Sequence, residues 1–226
     1  MTDHVLDNPA WSALTGPQAA IAEHAGAAAR FPADVGPFAG VPQEPDAAAW
    51  AALAELVGPG GVAFVTGPKH TPPAGWTVER TLPGVQLDGS DLKVEPDPEA
   101  VVLGAADVPE MLDLVERTRP GPFGPRTYQL GVYLGIRRGG ALVAMAGERM
   151  RPAGWSEISA VCTDPAHRGQ GLAARLTRAV GAAIRDRGDV PFLHASAANT
   201  NAIRLYEQLG FTLRRETSFD GLRAPG

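Results

Sequence analysis

The sequence predicts a mixed α/β fold with a central, mostly antiparallel sheet flanked by helices, and three observations carry that expectation. Three strand-like stretches between residues 131 and 163 are joined by tight turns and must run antiparallel. A strand, a glycine-rich turn, a long helix and a further strand follow over 157–195, and a right-handed crossover makes their two strands parallel neighbours. Composition and patterning also change between residues 89 and 98, GSDLKVEPDP, a polar and proline-bearing segment that reads as a linker. The expected organisation is an N-terminal domain over 1–98 and a catalytic domain over 99–226.

Taken in order, Asn8-Pro9 opens a first helix with proline at its first position, and a second helix is expected from Pro17 through the alanine-rich stretch to Ala29. Residues 31–45 hold Pro32, Pro37, Pro42 and Pro45 and read as an irregular loop packed by Phe31, Val35 and Phe38. Asp46 caps a helix with Trp50, Leu53, Leu56 and Val57 on one face, and Gly58-Pro59-Gly60-Gly61 stops it. Strands are expected at 62–66, 76–82 and 84–88, with a Pro/Gly loop between the first two. Residues 46–88 therefore resemble in order the end of the fold expected for the second half. This suggests a degenerate half-copy, with a helical cap as the alternative.

In the second half, Asp107 caps a helix with Val108, Met111, Leu112 and Val115 inward. The rigid stretch Pro120–Arg126 follows, and then a hairpin, 131–137 and 141–149, turning at Arg138-Gly139-Gly140. The helix after Gly171 carries the stripe Leu172, Leu176, Val180 and Ile184. Asn199 caps the next helix, Gly210 ends it, and one or two strands close the chain from Phe211 to Phe219.

The chain has 226 residues with 44% hydrophobic and 20% charged content, ordinary values for a soluble globular protein. A formal net charge of -5 argues against nucleic acid as a partner. The single cysteine, Cys162, excludes an internal disulfide and suggests a reducing compartment. No leader pattern is visible and no stretch approaches the roughly 18 apolar residues of a membrane span. The expectation is a cytoplasmic protein with no membrane partner.

The functional signal centres on Arg168-Gly169-Gln170-Gly171-Leu172-Ala173. Two glycines at a helix start leave backbone N–H groups free for an anion, and the helix dipole reinforces the site. The letters also match a dinucleotide fingerprint, but Asp164-Pro165-Ala166-His167-Arg168 separates the glycines from the strand, and the next strand ends His194-Ala195-Ser196 without an acid. A Walker A motif is excluded for want of Gly-Lys-Ser/Thr.

The motif Arg168–Ala173 resembles the pyrophosphate signature of the GNAT superfamily of acyl-CoA-dependent N-acetyltransferases. Asn199-Thr200-Asn201-Ala202-Ile203-Arg204-Leu205-Tyr206-Glu207-Gln208-Leu209-Gly210-Phe211 resembles that family's later helix, at the right separation. The resemblance covers about 100–226 and looks closest to the glycine-N-acyltransferase-like branch. It implies a GNAT-type fold and transfer of an acetyl group from acetyl-CoA to a primary amine, by direct attack in a ternary complex. A non-catalytic acyl-CoA-binding or sensor module is the alternative.

The resemblance also implies that Val161, Cys162 and Thr163 lie along the pantetheine arm on a strand splayed from its neighbour. Arg168, Gly169, Gln170, Gly171, Leu172 and Ala173 would hold the pyrophosphate, and Asn199 would contact the cofactor while capping its helix. Tyr206 matches the tyrosine that faces the sulfur, and a phenol, with reference pKa about 10, can protonate a thiolate. Glu157 matches a strand position where some members carry a base, and His194 is an alternative. Cys162 reads as packing rather than a nucleophile, because direct transfer needs no acyl-cysteine. The acceptor pocket is expected over the helix after Asp107 and the loop 119–126, lined by Phe123 and Tyr128. Glu116, Arg117 and Arg126 are the charged residues at hand there. The expected partners are acetyl-CoA and a small-molecule, amino-acid or peptide amine; no metal is expected, and a homodimer is the assembly left open.

Overall fold

The computed structural model describes residues 4–67 and 71–226. Part of the Pro/Gly loop expected after residue 66 thus lies outside the described residues. The chain begins with helix α1 (Pro9–Leu14), whose first position is proline as expected. The alanine-rich stretch after it is not a helix. It forms a short 3-10 turn at Ala19–Ile21 and then the strands β1 (Glu23–Ala25) and β2 (Ala28–Arg30), joined by a turn in which Gly26 has φ of 45°. Alanine propensity is overridden here by tertiary bonds. The Gln18 side chain is buried and donates to the Leu130 and Arg149 carbonyls, while its oxygen accepts from the Arg151 N–H. Strand β3 (Ala39–Gly40) completes a small antiparallel sheet with β2.

Helix α2 (Ala47–Val57) is capped by Asp46, whose carboxylate accepts from the Ala49 N–H at 2.8 Å. Strand β4 (Val62–Thr66) follows. Residues 77–88 form one strand, β5 (Thr77–Asp88), rather than the two expected. Pro83 does not break it: it stays in register with Ser218, and its carbonyl accepts from the Ala197 N–H at 3.0 Å.

The remaining elements follow the expected order: β6 (Val101–Val102), α3 (Val108–Thr118), β7 (Tyr133–Arg138), β8 (Ala141–Glu148), β9 (Trp155–Thr163), α4 (Leu172–Asp186), β10 (Val190–Ser196), α5 (Thr200–Leu209) and β11 (Thr212–Arg223). The large sheet has the order β4-β11-β5-β10-β9-β8-β7-β6. All neighbours are antiparallel except β9 and β10, which run parallel on either side of the α4 crossover. This is the predicted mixed, mostly antiparallel sheet.

The first half is woven into that sheet. β5 lies between β10 and β11, and β4 pairs the far edge of β11. Residues 89–98, which read as a linker, are a fixed strap. Leu92 is buried against α4 at Gly181, and Asp97 forms a bidentate ion pair with Arg175 of α4 at 2.6 and 2.8 Å. One face of the sheet is covered by α4 and α5 through Leu172, Leu176, Val180, Ile184 and Leu209; the N-terminal segment brings Leu6, Leu14, Phe31 and Phe38 onto Met150 and Phe192.

This arrangement makes a prediction about folding. Without residues 1–98, β11 has no strand partner at all and β10 loses one of its two. A chain of 99–226 alone is expected to show no cooperative thermal transition by circular dichroism. A sharp transition near that of the full chain would sink this account.

Candidate active site

The site is a cleft of about 810 Å³ that opens where β9 and β10 part. The two strands pair in parallel from Trp155–Val190 to Ile158–Leu193 and then have no further register partners. A bulge in β9 bends it away. The register with β8 jumps from Met145–Cys162 to Gly147–Ser159, leaving Ala160 and Val161 opposite one residue. Ala160 takes φ of 53°, an uncommon conformation for a residue with a Cβ. Val161, Cys162 and Thr163 all line the cleft beyond this bend, and the buried Thr163 Oγ1 has no hydrogen-bond partner among the described residues.

At the far end of β9 the Arg168–Ala173 turn enters α4. Gly169 and Gly171 have φ of 77° and 73°, and a Cβ on either would meet open space. Glycine is therefore required by the left-handed backbone rather than by crowding. No side chain caps α4, so the first backbone N–H groups of the helix are free at the cleft wall. Arg168, Gly169, Gly171, Leu172 and Ala173 line this end, whereas Gln170 is exposed and does not. Asn199 lines the opposite wall and caps α5, accepting from the Ala202 N–H at 3.2 Å.

Tyr206 projects from α5 into the middle of the cleft, with its ring edge-to-face against Phe211 at 5.8 Å. Burial first, and then the neighbouring Cys162 thiol, push its phenol up to about 12, so it carries its proton throughout the physiological range. Cys162 is itself buried, and burial raises its thiol above the ordinary range. A thiol held protonated has little nucleophilic character.

Glu157 departs from expectation. It is wholly buried and does not line the cleft. Its carboxylate takes a bidentate fork from Arg149, with Nε at 2.8 Å and Nη2 at 2.5 Å, and accepts from His194 Nδ1 at 2.6 Å. Burial alone would raise its pKa, but Arg149 and then His194 outweigh that and hold it at about 2. Such a group is a permanent anion and a poor base. His194 is occupied as well, since its Nε2 accepts from the Gln86 amide at 3.0 Å and its side chain is fully buried.

The expected acceptor residues also lie elsewhere. Phe123 is folded onto the Tyr133 ring at 5.6 Å, and Tyr128 pairs with Gln129; neither lines the cleft. Arg117 is paired with Asp113 and Asp164, and Arg126 with Asp34. Of the expected loop 119–126, residues 119–122 do line the cleft, and that end is completed by Phe38, Phe64, Arg80 and Leu82 from the first half with Thr118, Arg149 and Phe219. Arg149 was legible in principle. The β8–β9 register of Glu148 with Ile158 sets residue 149 opposite Glu157, and a buried glutamate demands a cation.

The FR47-like protein family model matches residues 133–219, the part that holds the splayed strand, the glycine turn and Tyr206. The N-alpha-acetyltransferase RimI of Mycobacterium tuberculosis is 32% identical over 131 residues, covering 51% of this chain and 80% of that protein. A crystal structure from Novosphingobium aromaticivorans, assigned as an acetyltransferase of the GNAT family, is 42% identical with a TM-score of 0.90, covering 99% of this chain and 100% of that one. The chain belongs to the GNAT family of acetyltransferases. The mycothiol acetyltransferase of Thermobispora bispora is 51% identical over 57 residues, but the match spans only 19% of that protein. A GCN5-related N-acetyltransferase from Kribbella flavida shares the fold, with a TM-score of 0.62 at 22% identity over 96% of this chain and 94% of that one. Among the described residues of this GNAT chain, no group of three His, Cys, Asp or Glu could hold a metal, and no helix is long and apolar enough to cross a membrane.

The Glu157 pair has a measurable consequence for acid stability. Its folded pKa lies below the ordinary carboxylate value of 4.5, so its contribution is complete above about pH 4.5 and is lost as pH falls toward 2. Glu157→Gln should remove that part of the acid dependence. At neutral pH it should also cost about 3–5 kcal/mol, because Arg149 is left buried without its carboxylate. Denaturant titrations of both proteins between pH 2 and 7 read both effects, and identical pH profiles would refute the assignment.

Proposed function

We propose that the protein is an N-acetyltransferase that moves an acetyl group from acetyl-CoA to a primary amine by direct attack in a ternary complex. The observation that carries this reading is one continuous cleft. It runs from free helix amides at Gly169–Ala173, along the splayed edge of β9, past the Tyr206 hydroxyl. The donor set fits acetyl-CoA. Arg168 and the α4 amides suit a pyrophosphate, and the unpaired edge of Val161–Thr163 with the orphaned Thr163 hydroxyl suits the amide groups of a pantetheine arm. When bound, acetyl-CoA supplies an acetyl group activated as a thioester.

The chain's own groups then have separate tasks. We assign to the backbone N–H of Val161, which lies in the bulge, the task of polarising a carbonyl oxygen. Tyr206 holds a proton in the cleft for a departing thiolate. Glu157 acts as a positioning residue that fixes Arg149 and His194. Among the described residues no carboxylate lines the cleft; His167 lies beside Arg168, and His194 has both ring nitrogens engaged by Glu157 and Gln86, so the attacking amine gives up its proton to water there. Residues 1–98 serve as the acceptor-side wall of the catalytic unit 99–226. The order of α2, β4 and β5 keeps the half-copy origin as our reading of that segment. The FR47-like match is compatible with the glycine-N-acyltransferase-like branch, which we retain as a proposal together with a cytoplasmic location. A homodimer remains open to test by light scattering.

Thiol release from acetyl-CoA across a panel of amines tests the reading, and CoA binding without turnover of any amine would transfer support to a sensor role. Tyr206→Phe is expected to lower kcat by on the order of 10²-fold with little change in CoA affinity. An unchanged kcat would remove the proton-donor assignment.

A further inference from the structure

We infer that the acceptor is an amine bearing a carboxylate on an apolar body, and that Arg80 and Arg149 recognise the carboxylate. This deepens the acetyl-transfer reading and rests on it. Among the described residues the cleft is lined by four arginines, Arg80, Arg119, Arg149 and Arg168, and by no aspartate or glutamate, in a chain whose net charge is -5. A site for a polyamine, or for a lysine-rich peptide, needs carboxylates at its mouth, and this one has none.

Of the three arginines at the acceptor end, Arg119 lies in the loop 118–122, and Arg80 and Arg149 stand on aromatic rings. Arg149 Cζ lies 4.6 Å from the Phe38 ring centroid, and Arg80 Cζ lies 5.3 Å from that of Phe64. Phe38 in turn meets Phe219 edge-to-face at 6.1 Å. Aromatic faces hold a guanidinium in place without neutralising it. Arg80 is exposed and its side chain has no hydrogen bond or carboxylate partner among the described residues, and Arg149 commits Nε and Nη2 to Glu157 but not Nη1.

These groups are not needed for the cofactor's phosphates. Arg149 sits opposite Glu157, and the glycine turn begins beyond Thr163. The six residues between span at most about 20 Å at roughly 3.3 Å per residue, the bulge at Ala160 shortening the path. Beside the loop 118–122, Phe38, Phe64, Phe219 and Leu82 give the acceptor end an apolar wall. An amine that offers a carboxylate to the arginines and a hydrocarbon or aromatic side chain to these rings satisfies both sets of groups.

The test compares L-phenylalanine, phenethylamine and spermidine as acceptors, in the full-length protein and in Arg80→Gln and Arg80→Lys. Calorimetric binding of N-acetyl-L-phenylalanine and N-acetylphenethylamine in the presence of CoA runs alongside. Expected is a kcat/KM for L-phenylalanine at least about tenfold above that for phenethylamine. That ratio should collapse in Arg80→Gln and survive in part in Arg80→Lys. Equal or faster acetylation of phenethylamine or spermidine overturns the proposal while leaving the acetyl-transfer reading intact. If no amine turns over, that reading fails and the binding arm decides. An Arg80-dependent preference for N-acetyl-L-phenylalanine upholds carboxylate recognition, and the absence of any preference overturns it.

Discussion

A carboxylate with no access to water, in the middle of a sheet, is the constraint on which the rest of this structure depends. Burying the Glu157 charge costs several kcal/mol unless cations and hydrogen bonds replace its hydration. Arg149 and His194 do so, but each is then buried in turn and needs partners of its own. His194 passes the demand to Gln86 of β5. The Gln86 amide nitrogen also donates to the Leu6 carbonyl, while its oxygen accepts from Arg214 of β11 at 2.7 Å. Arg214 ends on Asp7 at 2.7 Å. The chain of bonds crosses β9, β10, β5 and β11 and ends in the N-terminal segment. A half-satisfied network of this kind is worse than an apolar core, so every member holds the others in place. The bulge that shifts register between Leu213 and Arg215 belongs to the same device, because it brings Arg214 and Arg215 together onto Asp7.

The network stands immediately before the point where the sheet opens. Glu157 is paired across to Phe192, and the last paired position is Ile158 with Leu193. Beyond it the left-handed Ala160 turns β9 outward, and no strand fills the gap. A sheet that loses backbone pairing over several residues would otherwise fray from that point. The Arg149–Glu157 ion pair and the Glu157–His194 hydrogen bond, locked beside the last paired rung, stop the fraying and allow the cleft edge to stay unpaired. The free edge that can accept a ligand's amides is thus a consequence of polar bonds behind it, not of flexibility.

The second half was legible because its signals are local. The glycine turn, the Asn199 cap and the Leu172–Ile184 stripe each declare themselves within a few residues, and the structure places them as read. The first half was less so because its structure is set at long range. Gln18 is held from residues 130–151, and β5 is completed by strands more than a hundred residues later, so alanine content and Pro83 misled. Candidate site residues failed in the same way. Phe123 had the right type in the right loop, but Tyr133 offered it a better-packed surface. Arg80 carries no sequence signal at all, since only the fold of β5 beside β11 brings it to the cleft.

The sign of the cleft charge separates it from the protein as a whole. An anionic surface around a cationic groove focuses the field into the groove and favours entry of anionic ligands. The two cationic ends stand up to about 20 Å apart along β9, the rise of an extended strand setting the limit. That limit lies beyond the Debye length of about 8 Å at physiological ionic strength. Phosphates held at the Gly169–Gly171 end therefore leave Arg80 without a partner. Arg149 has the Glu157 carboxylate behind it, but the Arg80 charge would remain unbalanced with a cofactor in place, and the aromatic ring beneath it offers no countercharge. A second anion, arriving with the acceptor, is what completes the electrostatics of the site.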